Sequence, residues 1–201
     1  MEDHYTSLKS PSEGFYKEKG SRFFGHAWPI KSVEEAEAHL AAISKKYYDA
    51  RHVCYAYRLG VKGEPWRAND DGEPSHSAGD PILNELKSKG ISDALVAVIR
   101  YFGGTELGVG GLIRAYGTAA KEALENAEII EIVLTERLEI RFNYEFTSEV
   151  NKVMHQLSIK PDATEYGADC WLAFDIRETE VEKVAGIFRE LGILEEKLDK
   201  K

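Results

Sequence analysis

One glycine-rich stretch, between residues 100 and 117, constrains the fold of this chain more than any other feature. Residues 94–102 are apolar, β-branched or aromatic except for Arg100, which predicts a buried strand. After it, apolar residues recur at helical spacing from Leu112 to Ala127. Between these elements, five glycines lie within nine residues: Gly103, Gly104, Gly108, Gly110 and Gly111. The sequence therefore predicts a strand, a glycine loop and a helix that begins at Leu112.

The glycine loop has two alternative interpretations. Glycine adopts positive φ angles readily and lets another group approach the main chain closely. The first N–H groups of the following helix have no partner within the helix and attract an anion, and Arg100 and Arg114 flank the loop with positive charge. The alternative is a tight turn whose glycines only allow close packing of strand and helix. The loop matches neither a P-loop, which ends in Gly-Lys-Ser/Thr, nor the dinucleotide fingerprint, which needs glycine or alanine at Ile113.

A second motif occupies residues 69–81, in a predicted loop over residues 61–80 that is rich in Gly, Pro, Asp and Asn. Asp80 is suited to cap a helix whose first residue is Pro81, so this loop also leads into a helix N-terminus. Its candidate anion ligands are two hydroxyl groups and an imidazole, on Ser75, Ser77 and His76. Three of its carboxylates, those of Asp70, Asp71 and Glu73, raise the alternative of magnesium held jointly with a phosphate, although acidic loop residues commonly act as caps and turn formers.

Two further segments add polar candidates. Residues 51–59 alternate as a strand, with His52 and Cys54 on one face. Because no other Cys/His pair lies nearby at ligand spacing, we interpret Cys54 as structural and His52 as a side chain that faces the site. Residues 15–30 predict two extended pieces joined by a turn that presents Lys19 and Arg22, for which a solvated surface turn is the alternative.

Composition narrows the class of protein. The net charge is −9, from 35 acidic and 26 basic residues, which excludes a basic surface over a whole domain but leaves room for a local patch. No apolar run approaches the roughly 20 residues of a membrane span, and the acidic N-terminus is unlike a signal peptide. Cys54 and Cys170 suit reduced thiols better than a disulfide framework. We expect a cytoplasmic protein without membrane association, cofactor or resident metal.

The pattern of elements changes near residue 134. Before it, strands alternate with helices in a βαβα order. After it, the predicted order is a long strand over residues 129–142, a helix, a hairpin about Gly167, a helix and a short last strand, which is the ferredoxin-like pattern. We therefore predict an α+β protein with two domains, residues 1–134 and residues 135–201.

Three sequence blocks together resemble the IMPACT family: HVCYAY at 52–57, DDGEPS with AGDPIL at 70–83, and RYFGG with LGVGGLIRAY at 100–116. The resemblance covers roughly residues 15–127 and implies a bacterial two-domain member. It implies an N-terminal domain like domain 2 of ribosomal protein S5 and a ferredoxin-like C-terminal domain. Eukaryotic members carry an additional N-terminal partner-binding domain, for which this chain has no room, and regulate translation initiation through a kinase pathway. The family usually has glycine and threonine after Ser75, whereas this chain has His76 and Ser77.

These features predict a non-enzymatic, translation-linked protein that binds RNA phosphate, a nucleotide or another anionic ligand, with RNA or a ribosome-associated component as partner. We expect loops 70–81 and 103–114 to form one pocket, with Tyr101, Phe102 and Tyr116 available to stack a base. The predicted binding residues are the five loop glycines with Arg22, His52, Ser75, His76, Ser77, Arg100, Arg114 and Tyr116. The alternatives are a small-molecule phosphoryl-transfer enzyme, by fold-level analogy, and a protein-interaction module acting through the ferredoxin-like sheet.

Overall fold

The computed structural model describes residues 3–167 and 169–198. Residues 5–132 form one compact unit, and residues 133–198 with residues 3 and 4 form a second. This division lies two residues before the boundary expected from the sequence. Both units combine helices with antiparallel sheets, which confirms the predicted α+β class. In the described ranges, no helix has both the length and the apolar character needed to cross a bilayer.

The N-terminal part of the chain contains seven strands and three helices. In chain order they are β1 (His4–Leu8), β2 (Ser12–Glu18), β3 (Ser21–Pro29), α1 (Val33–Lys46), β4 (His52–Arg58), β5 (Trp66–Asn69), α2 (Gly79–Ser88), β6 (Ala94–Tyr101), α3 (Gly108–Glu125) and β7 (Ile129–Val133). Five strands form an antiparallel sheet in the order β2-β3-β6-β4-β5, and β1 pairs with β7 in a separate sheet. The β2–β3 pairing confirms the predicted hairpin, whose turn lies at Lys19 and Gly20.

The central strand β6 is covered on both faces. Every residue from Ala94 to Arg100 is buried, as the apolar run predicts. Successive side chains point to opposite faces of a sheet. Val96 and Val98 belong to the core that includes buried residues of α2 and α3, whereas Leu95 packs in a smaller core with Ala36 of α1. Strand β6 therefore brings Arg100 to the end of the sheet where β3 and β4 begin, which we call the open end.

In its described residues, the second unit contains four strands and two α-helices. They are β8 (Thr135–Asn143), α4 (Thr147–Gln156), β9 (Ala163–Glu165), β10 (Asp169–Arg177), α5 (Val181–Glu190) and β11 (Leu194–Leu198). The strand order is β11-β8-β10-β9, and each neighbouring pair is antiparallel. Its core joins Leu138 and Ile140 of β8 to Val184 and Phe188 of α5. The βαββαβ order is the ferredoxin-like pattern expected from the sequence.

Element boundaries differ from the prediction in several places, and one is that α2 begins at Gly79 rather than Pro81. Helix α3 begins at Gly108 rather than Leu112, residues 66–69 form β5 inside the predicted loop, and the predicted strand over 129–142 is divided into β7 and β8. Glycine costs a helix about 1 kcal/mol per residue relative to alanine. Tertiary packing overrides this preference in α3, because its apolar face, including Ala115 and Ala119, is completely buried.

The close packing of β3 against α3 gives a test of the fold. A Cβ atom at Gly25 of β3 would lie 2.4 Å from the carbonyl oxygen of Ala119. Because both contacting groups belong to regular elements, the helix must move away from the sheet. We expect Gly25→Ala to lower the free energy of unfolding by about 1–3 kcal/mol, the usual effect of overpacking. Urea unfolding followed by circular dichroism measures the change.

Gly117→Ala is the matched control within α3. A Cβ atom there would lie 3.8 Å from Pro81 Cβ, an ordinary contact, and alanine favours a helix over glycine by about 1 kcal/mol. We expect this variant to be as stable as the natural protein or more so. Equal losses of stability in the two variants would contradict the packing of α3 on the sheet.

Candidate functional site

The loop that leads into α2 is closed around one of its own carboxylates. Asp70 Oδ2 accepts the N–H of His76 at 2.8 Å, and Oδ1 accepts the N–H groups of Ala78 and Gly79 at 2.9 and 2.8 Å. Burial acts to raise the pKa of Asp70, but these three donors outweigh it and hold the pKa below its ordinary value. The predicted Asp80 cap is wrong, because Ala78 is the N-cap and Asp70 supplies the carboxylate. The N-terminus of α2 is thus already neutralised.

A buried carboxylate joins this loop to β6 and α3. Glu73 Oε1 accepts hydrogen bonds from Arg100 Nη1 at 2.6 Å and from Tyr116 Oη at 2.7 Å. The side chains of Glu73 and Arg100 are 5% and 10% exposed, and Tyr116 is completely buried. Burial raises the pKa of Tyr116, so its hydroxyl remains a donor. Tyr116 therefore anchors the loop and is not available to stack a base, which corrects its predicted role.

Cys54 lies beside this buried cluster and has a structural role. The side chain is completely buried, and Sγ donates to the carbonyl oxygen of Asp70 at 3.0 Å. Burial raises the pKa of the thiol, so the reactive thiolate does not form at neutral pH. Cys54 and Cys170 are both free and buried, as expected for reduced thiols. Among the described residues, no group of three or more His, Cys, Asp and Glu side chains is arranged to hold a metal ion.

The open end of the sheet gathers cationic and aromatic side chains. His52 of β4 lies opposite Arg100 of β6 in register, and Arg22 of β3 lies opposite Tyr101. Because successive residues of a strand face opposite ways, Arg22 and Tyr101 lie on the other face of the sheet from His52 and Arg100. A cavity of about 50 Å³ is lined by Arg51, His52, Arg100 and Phe102. The structure therefore divides the predicted cationic residues between two faces.

His52 has a fixed orientation at this cavity. Its Nδ1 lies 2.6 Å from the carbonyl oxygen of Asp71. A carbonyl oxygen only accepts, which assigns the hydrogen to Nδ1 and leaves Nε2 for a ligand. Asp71 is held in turn, since its Oδ2 accepts the N–H of Val53 at 2.7 Å.

Two of the predicted loop glycines serve packing. A Cβ atom at Gly103 would lie 1.9 Å from the backbone of Gly20, so the glycine loop and the β2–β3 turn are in direct contact. Gly111 is buried, and a Cβ atom there would lie 2.9 Å from Leu107 Cβ. For these two positions the tight-turn interpretation is correct.

The other three loop glycines keep the surface open. Gly104 and Gly108 have φ angles of 86° and 68°, and a Cβ atom at either would meet nothing within 4 Å. At Gly110 the nearest group is the guanidinium of Arg114, whose Nη1 would lie 4.0 Å from a Cβ atom. The first turn of α3 has no side-chain cap. The glycine loop therefore leaves the backbone accessible where α3 begins.

The serine candidates in the first loop differ from each other. Ser75 is exposed, as is His76, whose Nδ1 pairs with Asp80 Oδ2 at 2.7 Å. Ser77 is completely buried, and its Oγ has no hydrogen-bond partner in the described part of the chain. Ser77 is therefore not accessible to a surface ligand, which corrects its predicted role. Neither predicted loop contributes a residue to the cavity at the open end.

Arg51 is the cavity residue that sequence reasoning missed. It is exposed and directly precedes β4. The sequence feature that could have identified Arg51 is its position next to His52, at the start of β4. The neighbouring strand β6 ends at Arg100 and Tyr101.

The Asp70 cap predicts a pH-dependent contribution to stability. We expect Asp70→Ala to lower the free energy of unfolding by about 1–2 kcal/mol near neutral pH, the effect of losing a helix cap. The folded pKa of Asp70 lies below its ordinary value of 3.8. The contribution is therefore complete above that pH and disappears as pH falls through the folded pKa. If the difference in the free energy of unfolding between the natural protein and Asp70→Ala stays constant down to strong acid, the assignment of Asp70 as the cap is contradicted.

The Glu73–Arg100 pair predicts strong energetic coupling. Glu73→Gln and Arg100→Met each leave a buried partner uncompensated, so we expect each to lower the free energy of unfolding by about 3 kcal/mol or more. The free energy of unfolding of the double variant should fall by clearly less than the sum of the two single losses, because neither unpaired group then remains. Chemical unfolding of the four proteins completes the cycle, and additive losses would show that the two side chains act independently.

Several known proteins share sequence with this chain. The family model for the Impact N-terminal domain matches residues 19–124. The chain is 35% identical over 152 residues to the IMPACT family member YvyE of Bacillus subtilis (strain 168), covering 76% of this chain and 70% of that protein. It is 44% identical over 133 residues to the IMPACT family member in pol 5′ region of Thermus thermophilus, covering 66% of this chain and 69% of that protein.

A solved structure shares the fold. The crystal structure of a hypothetical protein matches with a TM-score of 0.70 and 24% identity, and the match covers the whole of both chains. At this identity the match shows the fold alone. The domain match and the two relatives show more: this chain belongs to the IMPACT family.

Proposed function

We propose that this chain is a non-enzymatic binding protein that engages an RNA phosphate or a nucleotide at the open end of the five-stranded sheet. The observation that carries the proposal is the cavity at which Arg51, His52, Arg100 and Phe102 meet. Guanidinium and imidazole groups bind phosphate oxygens, and an aromatic ring stacks on an unpaired base. The open end places both kinds of group side by side.

The charge distribution supports a small, local site. A net charge of −9 opposes broad, nonspecific attraction to a nucleic-acid backbone. Arg51 and Arg100 line the cavity, and Arg114 lies beside the open backbone of Gly110 at the start of α3. The uncapped N–H groups of α3 carry partial positive charge. We propose that these N–H groups bind a second phosphate of the same ligand.

Membership of the IMPACT family supports a role linked to translation. The resemblance implies that eukaryotic members of the family regulate translation initiation, and a site for RNA phosphate suits a role linked to translation. We therefore extend the proposal to RNA or a ribosome-associated component as the partner and to the cytoplasm as the compartment.

The bonding of the loop carboxylates favours binding over phosphoryl transfer. Asp70 caps α2, Asp71 holds the N–H of Val53, and Glu73 is shared by Arg100 and Tyr116. A phosphoryl-transfer enzyme uses carboxylates to orient the nucleophile and to hold magnesium. In this loop the carboxylates instead satisfy donors of the protein.

The exposed ring at the cavity gives a direct test of the proposal. We expect Phe102→Ala to weaken the binding of a short single-stranded RNA by about 1–3 kcal/mol, the contribution of one base stacked on an aromatic ring. Fluorescence anisotropy at low salt with a 3′-labelled RNA measures the affinity.

Phe15→Ala is the matched control on another strand of the same sheet. Phe15 is 51% exposed and Phe102 is 52% exposed, so both substitutions remove a similar aromatic surface. We expect Phe15→Ala to leave RNA affinity unchanged. Failure of the natural protein to bind either the RNA or a nucleotide, or equal weakening of RNA binding by the two substitutions, would refute the proposed function.

A further inference from the structure

We propose that the cavity at the open end selects a terminal phosphate monoester, such as the 5′-phosphate of a single-stranded RNA end or of a mononucleotide. This inference rests on the proposed function and specifies its ligand. The cavity of about 50 Å³ is lined by Arg51, His52, Arg100 and Phe102. About 10–15 Å³ of such space holds one water-sized group, so the cavity has room for a group of about three to five heavy atoms. A phosphate group has that size, whereas a base or a sugar exceeds it.

Arg100 is a pre-positioned donor in this cavity. Its Nη1 is held by Glu73 at 2.6 Å, which fixes the plane of the guanidinium. Its Nε is buried and has no hydrogen-bond partner in residues 3–167 and 169–198. Because Nε is closed to solvent, a ligand in the cavity would meet the terminal nitrogens of the guanidinium, of which Nη1 also donates to Glu73. A phosphate oxygen is the acceptor that arginine binds with the best geometry.

The charge balance favours a monoester over a diester. Glu73 offsets one of the two arginines, and Arg51 and His52 remain for the ligand. A phosphate monoester carries about −1.5 to −2 charges at neutral pH, whereas an internal phosphodiester of RNA carries one. The larger charge gains more from the uncompensated Arg51 guanidinium.

The orientation of His52 adds a second reason. With the Nδ1 hydrogen directed to the carbonyl oxygen of Asp71, the ring needs no second hydrogen to make this contact, and Nε2 can then accept a hydrogen bond from a ligand. A phosphodiester offers only acceptor oxygens to that nitrogen. A monoester has a second pKa of about 6, so it can share its remaining proton with Nε2. This proton then joins a phosphate oxygen to His52 Nε2. Two acceptor atoms would otherwise face each other, which is unfavourable.

Phe102 provides a surface for the base next to that phosphate. The Arg100 guanidinium carbon lies 5.6 Å from the centre of the Phe102 ring, and the ring remains 52% exposed. The guanidinium holds the ring at the edge of the cavity through a cation–π contact. The first base of an RNA whose 5′-phosphate enters the cavity is then within reach of the exposed part of the ring.

The test compares two short single-stranded RNAs of the same sequence, both labelled at the 3′ end. One carries a 5′-phosphate and the other a 5′-hydroxyl. We expect the full-length protein to bind the phosphorylated RNA about 10-fold more tightly or better, the effect of one additional charge-assisted hydrogen bond. Arg51→Ala should reduce this preference to near unity. Arg51 is exposed, so the substitution leaves the buried cluster intact, and thermal unfolding checks this.

Arg67→Ala is the matched control, since Arg67 is also exposed and lies opposite Tyr57, towards the other end of β4. This variant should keep the full preference for the 5′-phosphate. Equal binding of both RNAs by the natural protein, or loss of the preference in Arg67→Ala, would overturn the inference while leaving the proposed function in place. Absence of binding to the two RNAs and to a nucleoside 5′-monophosphate alike would remove both.

A nucleoside 5′-monophosphate used as competitor identifies the source of the monoester. Displacement at the concentration that the unlabelled RNA requires assigns the cavity to a free nucleotide. Displacement only at much higher concentration assigns it to an RNA end, because neighbouring nucleotides then contribute. Both results support a monoester site, and failure of the nucleotide to displace the RNA at any concentration contradicts it.

Discussion

The arrangement of the first unit depends on one buried carboxylate, that of Glu73. It accepts from Arg100 of β6 and from Tyr116 of α3, and it ties the loop before α2 to both elements. A buried ion pair is commonly no more stabilising than an apolar cluster of the same shape, because both charges must be desolvated. We therefore attribute its value to position: the pair fixes Arg100 at the end of the sheet, where a cation would otherwise have many rotamers. The loop that carries Glu73 also presents the carbonyl of Asp71, which orients His52. A single cluster thus sets the geometry of the whole cavity.

The two loops that dominate the sequence have different roles in the structure. The loop before α2 neutralises its own helix N-terminus with Asp70 and buries the side chains of Glu73 and Ser77, whereas Ser75 and His76 remain exposed. The glycine loop before α3 packs at Gly103 and Gly111 but stays open at Gly104, Gly108 and Gly110. The site lies beside these loops, at the ends of β4 and β6. The loops support the strand ends, and the side chains at those ends are the groups that a ligand meets.

Local patterns were sufficient for much of the fold. The apolar run of β6, the β2–β3 hairpin and the ferredoxin-like order of the second unit follow from periodicity and turn residues, which act over short distances. The hydrogen-bond partners of the Asp70 carboxylate could not be predicted from such local patterns. They depend on positive φ angles at Asp71 and His76, neither of which is glycine. The burial of Tyr116 depends on a partner 43 residues away. Arg51 lies at the cavity because β4 pairs with β6. Side-chain partners across the chain are set by tertiary packing, which a single sequence does not display.

Mapping by heteronuclear NMR is the most direct measurement of where the ligand binds. The ¹⁵N-labelled full-length chain would be titrated with a short 5′-phosphorylated single-stranded RNA at low salt. Binding at the open end predicts chemical-shift changes at the backbone amides of residues 51–52 and 100–104, together with those of residues 108–110 at the start of α3. Changes confined to residues 135–198, or to the capped amides of residues 76–79, would contradict it.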